Sequence, residues 1–262
     1  DVYKRQTRGA RAALAVDLND SWTLTAALMM QDVESNGVWD HDPTVGDLKV
    51  MRLMPDWNDD EWTQTSLKLE GEVFGGTLTA TYGDLERDTE TYADYSLYSD
   101  YYVSYGYVEP YYNCYVSYTG FCGDPREQYT NTTEIDRSTY EIRFVSDQEA
   151  RLRYMVGYYG VEVDTASDSD WHVMGLNGTP LAVDAPDIYW TTDFVRSYEE
   201  TAYFGEISYD VTEALTVAAS ARKFDYEGGL NGFSGTVWWP CGGWGPQGDR
   251  PASNYGEDCA PH

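Results

Sequence analysis

The sequence predicts an all-β protein, an antiparallel up-and-down sheet of the transmembrane β-barrel kind, on three observations. Apolar residues recur at every second position in several segments, which is the period of a strand with one apolar face. Short turns alternate along the chain with much longer connections, as on the two rims of a membrane barrel. No run approaches the roughly 18 apolar residues of a transmembrane helix.

The alternating segments form four hairpins and therefore about eight strands. In the first hairpin the even positions of 10–18 and 22–30 are all apolar, and Asn19, Asp20 and Ser21 between them are turn-forming residues. The second hairpin is expected to turn at Gly75 and Gly76, the third at SDQEA and the fourth at DVTEA. The remaining alternating segments are 63–73, 77–82, 140–144, 152–158, 203–209 and 215–221.

Four long connections are expected at about 34–58, 91–133, 166–193 and from 228 onward. They are rich in acidic residues, in a chain with 17 Lys+Arg, 45 Asp+Glu and a net charge of −28. We therefore expect the loops to be acidic and the strands to be close to balanced. A charge of this sign argues against a nucleic-acid partner, because phosphate contacts need a basic surface.

Aromatic residues are concentrated in the long connections, with 12 Tyr between 91 and 133 and seven of the nine Trp in the four connections. In such loops they can offer ring faces and phenolic hydroxyls to an aromatic or ferric ligand from outside. The alternative is that the tyrosines form the interfacial aromatic girdle of a barrel. The candidate ligand-contacting residues are Tyr98, Tyr101, Tyr102, Tyr105, Tyr107, Tyr111, Tyr112, Trp171 and Trp190.

The four cysteines lie as two pairs in two of the long connections. Cys114 and Cys122 share one connection, and Cys241 and Cys259 share another. Three pairings are possible, and pairing within each connection, Cys114–Cys122 and Cys241–Cys259, is the simplest. A metal site is disfavoured because no CxxC spacing is present.

No motif in the sequence predicts catalysis or a resident cofactor. GWGPQG fits GxGxxG but contains a proline and lacks a strand–helix frame. DVESNG begins like a calcium loop, but Pro43 stands where a Glu ligand is required, which leaves only a weaker calcium site on the acidic loops. The carboxylates considered for hydrolysis have no evident apolar pocket to separate their pKa values; they are Asp59, Asp60, Glu61, Glu199 and Glu200.

Three segments resemble barrel strands of TonB-dependent outer-membrane receptors. They are GARAALAVDLNDSWTLTAALMMQDVESNG, DDEWTQTSLKLEGEVFGGTLTATYGDLERDTETYADYS and ETAYFGEISYDVTEALTVAASARKFDYEGG. The resemblance covers most of 8–230. It implies a place in the outer membrane of a Gram-negative bacterium, in contact with its lipid, and import of ferric siderophores or similar scarce nutrients, with the iron complex as cargo rather than as a cofactor.

The resemblance also implies parts that this sequence does not contain. Receptors of this family have an N-terminal plug and a short segment that binds TonB, and their barrels have many more strands. We therefore expect 1–6 (DVYKRQ) to be a non-native extension and 7–262 to be an internal part of the barrel, without plug and C-terminal strands. Two alternatives stay open: a passive porin-like barrel, and a secreted, aromatic-rich β protein that binds carbohydrate.

Overall fold

The computed structural model describes residues 4–37, 41–96, 126–174 and 187–235. They form one antiparallel sheet in which each strand pairs with its neighbours in sequence, from β1 to β8. The strands are β1 Lys4–Asn19, β2 Trp22–Asn36, β3 Trp57–Val73, β4 Gly76–Asp94, β5 Glu127–Val145, β6 Leu152–Val173, β7 Ile188–Thr212 and β8 Leu215–Gly235. The predicted fold class, with eight strands in four hairpins, is confirmed.

Short turns and long connections lie on opposite rims, as predicted. We call these the turn rim and the loop rim. The second turn differs by one residue from its expected place, since Phe74 and Gly75 both have positive φ and Gly76 already pairs with Val73 on β3. Two consecutive residues with positive φ make the type of two-residue turn whose twist suits a hairpin.

The sheet is open in the part of the chain that the structure describes. β1 pairs only with β2, and β8 pairs only with β7, so both edge strands keep one unpaired side. β1 begins at Lys4, inside the segment 1–6 whose non-native origin stays a prediction. Within the described ranges, no helix is long and apolar enough to cross a membrane.

The strands are longer than the alternating apolar segments that predicted them. β6 has 22 residues and β7 has 25, because the ladder continues beyond the segments whose apolar alternation predicted them. As a result, the strands hold 28 Asp and Glu against 12 Lys and Arg. The expectation of strands with balanced charge was therefore wrong: more than half of the acidic excess lies on strands.

Alternation divides the side chains between two faces. On one face, the apolar face, the alternating apolar residues of neighbouring strands lie side by side. Examples are Leu14, Leu67, Ile142 and Val217, all of them exposed. On the opposite, polar face lie the four apolar residues that are buried within the described ranges, which are Val33, Val161, Val173 and Ala202. Crowding on the polar face and exposure on the apolar face indicate that the polar face is concave.

Candidate functional site

The apolar face carries an oblique band of apolar residues. On β2 the band ends at Met30, just before Asp32, and on β8 it ends at Ala221, just before Lys223. Followed through the pairing from β2 to β8, Met30 is level with Gly229. The band on β8 ends at Ala221, eight residues before Gly229, so its upper boundary shifts by about 26 Å along the strands. Six spacings between strands, from β2 to β8, measure about 29 Å across the sheet, and the boundary therefore slopes by about 42°.

Strand aromatics lie along this band. The Tyr140 and Tyr158 rings are 5.9 Å apart, and the Tyr158 and Tyr203 rings are 4.9 Å apart. Nearer the turn rim, Phe144 and Tyr154 form a further pair at 5.9 Å. Aromatic girdles that border an apolar band are typical of membrane barrels.

A second aromatic group, which we call the rim cluster, lies on the polar face at the loop rim. It consists of Tyr95, Tyr129, Trp171 and Trp190. The Tyr129 ring is 5.6 Å from that of Tyr95 and 4.7 Å from that of Trp171. Trp171 is paired with Trp190, whose Nε1–H donates to Ser234 Oγ at 3.2 Å. The cluster therefore runs across β4 to β7 and reaches β8.

The rim cluster contains two of the predicted site residues, Trp171 and Trp190. The other predicted residues, Tyr98, Tyr101, Tyr102, Tyr105, Tyr107, Tyr111 and Tyr112, lie outside the described residues, as do Cys114, Cys122, Cys241 and Cys259. Trp171 stands 13 residues beyond Tyr158 on the same strand, about 43 Å along it. At that distance it cannot belong to a girdle at the edge of the apolar band.

Hydroxyl and amide groups lie on the polar face directly below the rim cluster. Asn131 Nδ2 donates to Ser169 Oγ at 2.8 Å and to Ser167 Oγ at 3.0 Å. Tyr129 Oη donates to Ser169 Oγ at 3.3 Å, and Thr133 Oγ1 lies 3.1 Å from Ser167 Oγ. These bonds hold the Tyr129 ring in place, and the side chains that form them are all uncharged.

Carboxylates fix the connection between β2 and β3 to the rim. Asp94, which is 8% exposed, accepts hydrogen bonds from the backbone N–H groups of Leu53, of Met54 at 3.1 Å and of Ser96 at 2.9 Å. Asp56 accepts the Asp94 N–H at 2.7 Å. Because Tyr95 follows Asp94, the same contacts position one ring of the rim cluster.

Ionisation of these two carboxyls is perturbed in opposite directions. Burial raises the pKa of Asp56. Burial also opposes ionisation of Asp94, but its hydrogen bonds from Ser96, Met54 and Leu53 outweigh that effect and lower its pKa. Asp94 is therefore held as a carboxylate, as acceptance of several N–H bonds requires.

Sequence reasoning missed Tyr95, Tyr129 and Asp94 as parts of the rim. Tyr95 and Tyr129 belong to the tyrosine-rich stretch, but only strand register separates them from their neighbours. Asp94 carries no sequence signal, because its partners Leu53 and Met54 are about 40 residues away.

Charge is divided unequally between the faces. The polar face of the strands carries nine acidic and nine basic residues, and the apolar face carries three basic ones, Lys4, Arg8 and Lys223. The remaining 19 strand carboxylates all lie on the apolar face, on the loop-rim side of the apolar band. They are Asp32, Glu34, Asp59, Glu61, Asp84, Glu86, Asp88, Glu90, Asp94, Glu134, Asp136, Glu162, Asp164, Asp168, Asp170, Asp193, Glu199, Asp225 and Glu227.

The carboxylates on the apolar face are close enough to affect one another. Burial raises the pKa of Asp168, and the charges of Asp170 and Asp193 raise it further. Like charges directly opposed on neighbouring strands destabilise a sheet. Within the described ranges, no group of three or more His, Cys, Asp or Glu is arranged to hold a metal ion.

The carboxylates considered for hydrolysis are separated by the sheet. Asp59 and Glu61 lie on the apolar face, whereas Asp60 between them lies on the polar face and receives both Arg87 Nε and Nη2 at 2.8 Å. Glu199 and Glu200 also lie on opposite faces. Glu200, on the polar face, forms an ion pair with Arg222. Asp60 and Glu200 therefore cannot act on one substrate together with carboxylates of the apolar face.

Comparison with solved structures agrees with this architecture. The chain is similar to the ferric yersiniabactin uptake receptor FyuA from Yersinia pestis, with a TM-score of 0.65 at 9% identity, over 89% of this chain and 32% of the receptor. The fold is similar to part of that receptor. The chain thus spans about a third of the length of FyuA.

Two further structures are similar at lower scores. FpvA of P. aeruginosa, bound to a heterologous pyoverdine–iron complex, has a TM-score of 0.49 at 13% identity, over 89% of this chain and 33% of its own. The siderophore receptor PiuA from Acinetobacter baumannii has a TM-score of 0.41 at 12% identity, over 88% and 40%. No family model matches the chain, and no curated protein matches it either.

Proposed function

We propose that this chain forms part of the wall of an outer-membrane receptor for energised, TonB-dependent uptake of a ferric siderophore or a similarly scarce nutrient. The observation that carries the proposal is the oblique apolar band. Its slope of about 42° falls within the roughly 35–45° by which strands tilt in membrane barrels. The similarity to FyuA, a ferric yersiniabactin uptake receptor, supports the same assignment.

In this arrangement the apolar face contacts the lipid of a Gram-negative outer membrane. The long loops lie outside the cell, and the short turns lie in the periplasm, as in other bacterial barrels. A secreted carbohydrate-binding sandwich is disfavoured because its strands typically have about 5–6 residues, whereas strands here have 15 to 25.

The polar face then lines the interior, and the rim cluster lies at its outer mouth. Trp190 is 37% exposed and offers ring surface to an entering ligand. Tyr129 and Trp171 form the neighbouring part of the same surface. Aromatic rings with nearby hydroxyl groups suit recognition of an organic iron complex, which is cargo and not a resident cofactor. We propose no catalytic role for the wall.

Energised transport would require a plug and a contact with TonB, which the resemblance implies for the complete receptor. Deletion of the complete gene in its host should abolish uptake of a labelled ferric siderophore and impair growth under iron limitation. The intact gene should restore both. Uptake that persists after a protonophore collapses the inner-membrane gradient would contradict the receptor and favour the porin-like alternative.

A further inference from the structure

We infer that the ligand of this receptor is a neutral or cationic complex and that polyanionic complexes are discriminated against. The inference rests on the proposed function, and it concerns the charge of the ligand rather than the existence of transport. Its basis is the unequal charge of the two faces and the chemistry of the rim cluster.

On the outward face above the apolar band, carboxylates lie next to one another on neighbouring strands. Glu162, Glu199 and Glu227 are directly adjacent across β6, β7 and β8, and all three are exposed. Followed through the pairing to β1, this row holds a fourth carboxylate, Asp84, and no Lys or Arg. An anion that approaches the mouth from outside therefore meets a surface of its own sign.

The inward face carries no net positive charge to offset this surface. Its nine basic residues are balanced by nine acidic ones. Five of the basic residues form ion pairs with carboxylates of the same face; they are Lys68, Arg87, Arg143, Arg153 and Arg222. Arg87 makes two hydrogen bonds of 2.8 Å to Asp60, and Arg222 pairs with Glu200, which also accepts Tyr198 Oη at 2.6 Å. A polyanion bound here would have to draw these arginines from their partners and leave carboxylates unpaired.

The rim cluster favours the opposite kind of ligand. The faces of Tyr and Trp rings carry partial negative charge, so they attract cations and stack against neutral planar groups. Trp190 Nε1 is engaged with Ser234, and Tyr129 Oη is engaged with Ser169. The surface that the cluster presents is thus mainly ring face, which gives no ionic partner to an anion.

The outward carboxylates act on the approach of the ligand, and salt should modulate their effect. Surface charges are screened within about 10 Å at 0.1 M salt but within about 30 Å at 0.01 M. The discrimination should therefore appear in the association rate and should grow as salt is lowered.

The test compares two ferric probes on the complete receptor in detergent: a neutral trihydroxamate and a tris-catecholate of charge minus three. Association is followed by stopped-flow tryptophan fluorescence at about 10 mM and about 150 mM salt. We expect the anionic probe to associate at least about tenfold more slowly than the neutral one at low salt, with partial recovery at high salt. The neutral probe should change by less than about twofold.

A triple variant locates the effect. Glu162→Gln, Glu199→Gln and Glu227→Gln together should raise the low-salt rate of the anionic probe about threefold and leave the neutral probe unchanged. The matched control removes three exposed carboxylates from the turn rim, by Asp20→Asn, Glu149→Gln and Glu213→Gln, and should change neither rate.

The possible outcomes separate the two proposals. Equal rates for both probes at low salt, or faster association of the anionic probe, would overturn the charge inference and leave uptake intact. An equal response to the triple variant and to its control would overturn it as well, because the outward row would have no special role. Binding of neither probe would overturn the inference together with the proposed function.

Discussion

Trp171 on β6 lies directly opposite Trp190 on β7, and the register of the two strands shifts immediately beyond this pair, between Trp171 and His172. Both indoles lie on the polar face at the loop rim, where Tyr129 packs against Trp171. The pair therefore closes the regular part of the wall with ring surface directed toward the mouth.

Replacement of either indole should weaken ligand binding without unfolding the wall. Under the proposed function, Trp171→Ala or Trp190→Ala is expected to raise the Kd of the ligand about tenfold, which corresponds to about 1.4 kcal/mol. Isothermal titration on the full-length protein measures the change. Trp22→Phe, at the turn rim, is the control, and an equal loss in that variant would show that the rim cluster has no special role.

Two neighbouring residues of β1 lie on opposite faces of the sheet and allow the two faces to be compared. Leu14 lies in the centre of the apolar band and Ala13 lies on the polar face. Leu14→Arg should cost about 2–4 kcal/mol, because arginine is then exposed to lipid near the bilayer midplane. Ala13→Arg should cost much less. Urea unfolding in phospholipid vesicles measures both, and equal costs would contradict the assignment of the apolar face to lipid.

Gly160 on β6 receives the ring of Tyr140, and any Cβ at that position would overlap the ring. Gly160→Ala should therefore displace Tyr140 and destabilise the sheet by about 1–3 kcal/mol. Gly83 is the matched control, since a Cβ there would meet nothing nearer than Thr65 O at 3.8 Å. Thermal unfolding followed by circular dichroism distinguishes the two; a lower Tm for Gly83→Ala alone would refute the packing argument.

Asp94→Asn should loosen the connection 41–56 while the sheet remains intact. The amide retains fewer acceptor sites than the carboxylate that now binds the N–H groups of Leu53, Met54 and Ser96. Trypsin should then cleave after Lys49 or Arg52 several-fold faster. Asp88→Asn, an exposed position on the same strand, should leave the cleavage rate unchanged.

The hydrogen bonds between Asp94 and the connection 41–56 should weaken in acid. The pKa of Asp94 is lower in the folded chain than in the unfolded one. Its stabilising contribution is therefore complete above the unfolded value of about 3.9, and it is lost as the pH falls from there through the folded pKa. Hydroxyl-radical footprinting of Met54, which is half-buried, should show an increase in oxidation only in that acidic range as the pH is lowered from neutral. Exposure that begins near neutral pH would contradict this origin.

Much of the wall could be predicted from the sequence, because its determinants are local. Period-two apolar residues, as in 10–18 and 22–30, place one face of each strand in an apolar environment, and turn-forming residues between them specify hairpins. The alternation of short and long connections then predicted that the turns lie on one rim of the sheet and the long loops on the other. The strand and turn signals depend on residues that are near one another in the sequence.

Prediction failed where the alternation of apolar residues ended. Beyond Gly160 on β6 the apolar positions change to the other face, with Val161 and Val163 on the polar face and carboxylates opposite them, so the pattern that had marked the strand stopped well before Val173. The backbone ladder extends it, because each strand completes its hydrogen bonds on a neighbour of similar length. The acidic residues of these extensions were consequently assigned to loops, and the strands were wrongly expected to be balanced.

The all-β class, the hairpins and an acidic, aromatic outer region follow from the order of residues alone. The contacts between distant residues do not: Trp171 meets Trp190, Asp94 meets Met54, and carboxylates collect on one face. These contacts depend on register, which is set by hydrogen bonds between strands far apart in sequence. A shift of one residue in the register of a strand would move all its side chains to the opposite face. Composition alone therefore cannot tell whether a charged residue faces the lipid or the interior.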